Sequence, residues 1–197
     1  MTAWRRFLHH LAARRPTRII TAELDPLDPT SPQSPLFERS HLLTIRLPFI
    51  GETTVYLHHY LRSDPDRGPH DHPWPWMLAI PLAGGYDEQR AAALTATGVP
   101  VLRMFRRRPF VPYTLAGRDF HRVVCRQARD GSTTTSWSLF IHGPNTKGWG
   151  FLRTEPARDG LALGYRGVYV PHVEPDGSHT SWWRTAPKGR FLHRAQP

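Results

Sequence analysis

Glycine and proline interrupt this chain so often that they restrict it to short elements of secondary structure. There are 20 prolines and 15 glycines among the 197 residues. Proline inside a helix removes a backbone hydrogen bond, and glycine there costs conformational entropy. Long helices and coiled coils are therefore disfavoured, whereas short strands joined by turns are favoured. Hydrophobic residues make up 39% of the chain, which is enough to build a core.

Short segments rich in Val, Ile, Leu, Thr and aromatic residues follow one another from about residue 40 to 171. The predicted strands are 41–50, 53–61, 76–83, 99–105, 109–113, 121–126, 134–142, 148–153 and 165–171. Turn residues such as Gly84-Gly85 and Asp130-Gly131 separate them. This even spacing without intervening helices predicts an all-β jelly-roll barrel. Segment 87–97 fits either one helical turn or a long hairpin arm.

The two ends of the chain differ in residue pattern from this β region. Trp4, Phe7, Leu8 and Leu11 recur at helical spacing, which predicts a first helix packed on a sheet. A transit peptide or a membrane-surface helix has the same pattern. We divide the chain into an N-terminal helix and Pro-rich arm (1–36), a barrel (37–173) and a C-terminal tail (174–197).

The chain is strongly basic, with a formal charge of +10, and all but two of its 26 basic residues are arginines. Arginine binds carboxylates and phosphates bidentately, so an anionic partner is one interpretation. The bias of a GC-rich genome is the other. The arginines are scattered rather than clustered, and nucleic-acid binding is the third-ranked function.

Cysteine content and hydropathy bear on the compartment. The single cysteine, Cys125, excludes an intramolecular disulfide and a cysteine-built zinc site, which fits a reducing cytoplasm. No apolar run approaches the ~20 residues that a membrane-spanning helix needs. We therefore expect a cytoplasmic protein outside the membrane, and we keep a homodimer as an open alternative to a monomer.

The tripeptide His70-Asp71-His72 is the most informative motif. On a strand, residues i and i+2 face the same side, so both imidazoles are expected to point into the barrel and Asp71 away from it. Two imidazoles make half of a first-row metal site. His121, which begins another β segment, is the predicted third ligand.

These residues resemble the cupin superfamily, whose first motif reads G-x5-H-x-H-x3,4-E-x6-G and whose second reads G-x5-P-x-G-x2-H-x3-N. His70, His72 and Gly84 fit the first motif, and Gly117 and His121 approximate the second. The glutamate position falls on Trp76 or Met77, and the asparagine position falls on Cys125. The resemblance is therefore to three-histidine cupins, and it implies a double-stranded β-helix and Fe(II) dioxygenase chemistry, with Zn, Mn or Ni as alternative metals.

The stretch from about 55 to 152 also resembles small bacterial and phage cupin-like proteins. The matching pieces are Arg62-Ser63-Asp64, His70-Asp71-His72-Pro73-Trp74, Gly84-Gly85-Tyr86, Phe120-His121-Arg122, Gly143-Pro144 and Trp149-Gly150-Phe151. This resemblance supports the fold and implies no particular substrate.

Other side chains are candidates for parts of the same site. The candidate catalytic residues are His58, Tyr86 and Tyr113. The candidate substrate-binding residues are Trp74, Trp76, Trp149, Arg103 and Arg122, with Arg62 as a further arginine for the cavity mouth. Contributions from His59, His142 and Glu88 are left open. For most of these residues, packing in a small barrel or a place on its surface is the ordinary alternative.

The leading functional prediction is a mononuclear metal-dependent enzyme, an Fe(II) oxygenase that acts on a small anionic organic substrate. Three neutral imidazoles leave coordination positions open. Because no carboxylate ligand offsets the metal charge, an anionic substrate is favoured. A metal-dependent isomerase or cyclase and a non-catalytic ligand-binding or assembly protein are the alternatives.

Overall fold

A computed structural model describes residues 1–21, 35–65, 68–157, 164–172 and 181–192. The described helices are α1 (Ala3–Ala13) and α2 (Gly189–Leu192), and Trp182–Arg184 forms a 3-10 turn. The strands are β1 (Thr17–Thr21), β2 (Pro35–Leu47), β3 (Gly51–Tyr60), β4 (Trp76–Ala83), β5 (Tyr86–Leu94), β6 (Pro100–Arg107), β7 (Tyr113–Ala116), β8 (His121–Val124), β9 (Ser136–His142), β10 (Gly150–Pro156) and β11 (Tyr165–Pro171).

The strands form two antiparallel sheets with a cavity between them. One sheet has the order β1-β2-β3-β9-β4-β7. The other contains β6-β5-β8 and the pair β10-β11. His70 connects these two groups, because it forms β-bridges with His121 on β8 and with Phe151 on β10. The predicted all-β fold class and the short N-terminal helix are confirmed.

Side-chain alternation gives the six-stranded sheet two different faces. On β3, Tyr56, His58 and Tyr60 line the cavity. Leu57, on the opposite face, packs with Leu8 of α1 in a cluster that also includes Trp137. A strand with both faces covered is buried throughout its second half, as β3 is. Helix α1 therefore covers the outer face of the sheet whose inner face forms the cavity wall.

Segment 87–97 takes the second of its two predicted conformations, because β5 pairs with β6 as a long hairpin arm. Two other features of the strand assignment differ from the sequence prediction. The strand expected at 109–113 begins only at Tyr113. Strand β1 was not predicted, and it pairs with the first half of β2. Each difference reflects a pairing partner distant from the segment itself, which local composition does not specify.

The turn between β4 and β5 requires glycine. Gly84 and Gly85 have φ values of 79° and 74°, a region that other residues rarely adopt. A Cβ on Gly84 would lie 2.4 Å from the carbonyl oxygen of Thr135. The Gly-Gly pair thus sends the chain from one sheet into the other.

The C-terminal segment closes one side of the cavity. Trp182 is buried against Tyr56, with ring centroids 5.9 Å apart. Trp183 stacks on His41 at 4.6 Å. Residues 22–34, which hold most of the Pro-rich arm, and residues 173–180 and 193–197 at the C-terminal end lie outside the described residues, so the domain boundaries stay a prediction. Within the described ranges, no helix is long and apolar enough to cross a membrane.

Packing of α1 on the sheet gives a first testable prediction. Leu57 is 1% exposed, so Leu57→Ala should lower the free energy of unfolding by about 2–5 kcal/mol through the cavity it leaves. Leu43, on the neighbouring strand, is 46% exposed, and Leu43→Ala should change it by only about 0.5 kcal/mol. Urea denaturation measures both, and equal losses would contradict this packing.

Candidate metal centre

The backbone of His70 and His121 brings two distant histidines side by side. The N–H of each residue donates to the carbonyl of the other, both at 2.9 Å. The N–H of His72 donates to the carbonyl of Gly117 at 3.1 Å. His70 takes part in a β-bridge, whereas Asp71 and His72 lie outside the described strands.

The three imidazoles converge on one wall of the cavity. The Nε2 atoms of His72 and His121 are 2.8 Å apart, and one ligand nitrogen from each of His70, His72 and His121 lies within 4.8 Å of the others. Two nitrogens bound side by side to one ion at ~2.1 Å each are about 3 Å apart. The donor set therefore fits a divalent transition metal, for which imidazole is a common ligand.

A fully buried carboxylate stands behind His121. Oε1 of Glu88 lies 2.7 Å from Nδ1 of His121. Its other oxygen contacts Arg107 at 2.5 Å and Arg90 at 3.1 Å. Burial by itself raises the pKa of Glu88, but His121, Arg90 and Arg107 together lower it below the ordinary value. Glu88 thus stays ionised and fixes the orientation of the His121 ring.

Asp71 fixes the same segment from the side opposite to the histidines. Its carboxylate accepts a hydrogen bond from the backbone N–H of Gly150 at 2.7 Å and another from the Tyr169 hydroxyl at 3.4 Å. It also forms an ion pair with Lys147. As expected, Asp71 points away from the metal centre, but it is 5% exposed rather than in solvent. Its partners are backbone and side chains of the 147–169 region.

The cavity in front of the histidines measures about 720 Å³. Aromatic rings form much of its wall. Trp74 stacks on both His72 and His142, at 5.2 and 3.9 Å between ring centroids. Phe140 packs on His58 at 4.9 Å. A pocket of this size and lining accommodates a small organic molecule next to the three imidazoles.

Burial keeps three of the cavity histidines neutral. It lowers the pKa of His72 well below the ordinary 6.5, and the neighbouring His70 and His121 lower it further. The pKa of His58 is also well below 6.5, because of burial and then the charge of Arg39. Burial lowers the pKa of His142 to about 4, although a hydrogen bond to the Gly143 carbonyl raises this pKa and offsets part of the effect. Neutral imidazole is the form that binds metal.

The structure separates the other candidate residues into two groups. Lining the cavity are His58, Trp74, Trp149 and His142. Outside it are Tyr86, Tyr113, Trp76, Arg62, Arg103, Arg122 and His59. The hydroxyls of Tyr86 and Tyr113 bond to each other at 2.6 Å, and burial raises the pKa of Tyr86 to about 12. Arg103 is exposed on β6, and His59 contacts Glu38 on the face covered by α1.

Tyr60 and Arg39 are polar cavity residues that the sequence analysis missed. Tyr60 lies two residues after His58 on β3, and its hydroxyl is 3.2 Å from Nδ1 of His58. Strand alternation from His58 was a signal that pointed to it. Arg39 lies opposite His58 in the β2–β3 register. Nothing in the sequence pointed to Arg39, because only the pairing register shows which β2 residue lies opposite His58.

No protein-family model and no curated protein matches the chain. Solved structures with a similar fold include KdgF from Halomonas sp., at 10% identity over 65% of this chain and 88% of that one, with a TM-score of 0.39. Fe(II)-HppE with the alternative substrate (S)-1-HPP shows 8% identity over 64% of this chain and 55% of that chain, with a TM-score of 0.42. The structure of the DMSP lyases RdDddP and RnDddQII shows 14% identity over 55% of this chain and 47% of that chain, with a TM-score of 0.37. The chain thus spans about half the length of the last two. At such identities and TM-scores these similarities carry no information on substrate or reaction.

Glu88 gives a prediction for metal affinity. Glu88→Gln removes the charge that orients His121, and loss of such a partner lowers metal affinity about 10–100-fold. The matched control is Asp87→Asn, since Asp87 is the adjacent residue and pairs with Arg126 and Arg106 instead. Competition with a fluorescent chelator measures both affinities, and thermal melting verifies folding. Equal affinities in the two variants would contradict a positioning role for Glu88.

His142 gives a prediction for stability against pH. Between pH 6.5 and about 4 the unfolded chain protonates His142 whereas the folded protein does not, so stability falls as pH falls. The loss from this residue at pH 5 is about 2 kcal/mol. His142→Phe should make the decline between pH 6.5 and 5 shallower by about 1.5 kcal/mol in urea denaturation. His10→Phe, at an exposed position on α1, is the control, and equal slopes in wild type and His142→Phe would refute the prediction.

Proposed function

We propose that this chain is a mononuclear metal-dependent enzyme of the cupin type that acts on a small organic substrate inside the cavity. The observation that supports it is the convergence of His70, His72 and His121, with ligand nitrogens within 4.8 Å of one another. A buried carboxylate behind His121 adds the kind of support that metal-ligating histidines have in known sites. The adjoining cavity offers space for a substrate.

We propose Fe(II) as the metal and oxygenation as the reaction. Three imidazoles suit Fe, Zn, Ni and Cu alike, and the resemblance to three-histidine cupins favours iron among them. A bound divalent ion would act as a Lewis acid on a substrate oxygen, and Fe(II) would also supply electrons for O₂ chemistry. The proposal places no carboxylate among the ligands, because Glu88 contacts His121 from behind.

The chain's own residues would hold and orient the substrate. Trp74 and Phe140 provide apolar surface and limit the access of water. Burial first, and then the nearby Tyr86 and Asp64, raise the pKa of Tyr60 well above 10. Its hydroxyl therefore keeps its proton and is available as a hydrogen-bond donor. His58, neutral beside it, completes this polar group within the cavity.

Metal analysis of the purified protein tests the proposed centre. We expect one transition-metal ion per chain in the wild type and its loss in His121→Ala. His10→Ala, at an exposed position on α1, should keep the metal. Metal retained in His121→Ala, or metal absent from a wild type reconstituted anaerobically with Fe(II), would refute the centre.

Oxygen uptake tests the proposed reaction separately. The Fe(II)-loaded protein should consume O₂ faster in the presence of a substrate from a panel of small carboxylates and phosphonates, and the Zn(II)-loaded protein should not. Conversion of a panel compound by the Zn(II)-loaded protein without O₂ uptake would favour the isomerase or cyclase alternative.

A further inference from the structure

Arg39 is a charged residue that is partly buried in the cavity wall. It lies on β2 directly opposite His58, and its Nε donates a hydrogen bond to Nε2 of His58 at 3.1 Å. Its guanidinium carbon lies 5.3 Å from the Phe37 ring and 5.2 Å from the Tyr56 ring. Burial lowers the pKa of Arg39, but arginine remains charged in proteins. The cavity therefore contains a fixed positive charge.

This charge has no carboxylate partner in the described parts of the chain. The ion pairs there involve other residues, such as Glu88 with Arg107 and Asp71 with Lys147. Glu52 and Asp64 line the same cavity, yet neither forms an ion pair with Arg39. A partly buried charge without a counter-ion keeps part of the cost of leaving water. An anion that enters the cavity would remove that cost.

His58 leaves the terminal nitrogens of Arg39 available. Because Nε2 of His58 accepts from Arg39, the ring carries its proton on Nδ1, which is 3.2 Å from the Tyr60 hydroxyl. His58 stays neutral and so does not compete with Arg39 for an anion. The two terminal nitrogens form a planar fork, which matches the two oxygens of a carboxylate or a phosphonate.

Arg39 and the histidines are two polar regions of one cavity. Arg39 and the three-histidine cluster both line it. Aromatic surface from Tyr56, Trp74 and Phe140 belongs to that cavity as well. A ligand with one anionic group, an apolar body and one further polar group matches this set of surfaces.

We propose that Arg39 is the anion anchor of the cavity and that the substrate is a small organic oxyanion, a carboxylate or a phosphonate. Its charged group binds the terminal nitrogens of Arg39, and its other polar end faces His70, His72 and His121. His58 is a positioning residue that holds the guanidinium in place. The orientation towards a metal rests on the proposed function, whereas the anchoring of the anion does not.

Calorimetric binding of three probes with a common phenyl body tests the anchor. Benzoate and phenylphosphonate are the anions, and benzamide is the neutral analogue. At least one anion should bind the wild type about tenfold or more tightly than benzamide. Arg39→Gln should abolish that preference, and Arg39→Lys, which keeps the charge but loses the fork, should retain only part of it. Arg103→Gln, on the exposed strand β6, should leave it unchanged.

Three outcomes would overturn the proposal: equal binding of anions and benzamide, an anion preference that survives Arg39→Gln, or no binding of either anion at millimolar concentration. A second measurement uses only wild-type protein, in case a variant fails to fold. Phenylglyoxal modification of Arg39, mapped by mass spectrometry, should be slowed by the anion that binds and not by benzamide. Equal protection by both would also overturn it.

Metal content, measured in the same samples, separates this inference from the proposed function. An anion preference that depends on Arg39 in protein without metal-binding capacity would support the anchor and refute the metalloenzyme. A protein that binds metal but whose anion binding does not depend on Arg39 would refute the anchor alone. Arg39→Gln should keep its metal, because Arg39 is not one of the three ligands.

Discussion

The reciprocal hydrogen bonds between the backbones of His70 and His121 are the constraint on which the candidate site depends. Both are 2.9 Å long, and a second bridge from His70 reaches Phe151. Together they place the His70 segment between β8 and β10, which completes the second sheet. The same pairing brings two imidazoles from distant parts of the chain to one wall. The same backbone pairing therefore both closes the second sheet and brings the histidines of the candidate site together.

The buried charge of Glu88 connects this site to the hairpin arm. Glu88 and Arg90 lie on β5 and Arg107 lies on β6, so two of the many arginines serve to stabilise a carboxylate inside the protein. A buried carboxylate is tolerated only when it is well paired. Its carboxylate contacts His121 and is not among the three side chains whose nitrogens converge on the cavity. The site thus gains electrostatic support while its open side stays free for a ligand.

The two faces of the six-stranded sheet have different roles: one packs against α1, and the other lines the cavity. Leu57 and Trp137 pack under α1, whereas His58 and His142 of the same strands face the cavity. The two polar regions of that cavity come from different sheets. The histidine cluster belongs to the second sheet and its adjoining segment, and Arg39 belongs to the first.

Local sequence determined the strand-rich fold class, the Gly84-Gly85 turn and the common side of His70 and His72, because turn chemistry and strand alternation act over a few residues. Tertiary structure decided which residues meet. It paired the hydroxyls of Tyr86 and Tyr113 away from the cavity, set Glu88 against His121 and brought Arg39 opposite His58. Such contacts depend on strand register and sheet packing between distant segments, and neither composition nor local periodicity encodes them.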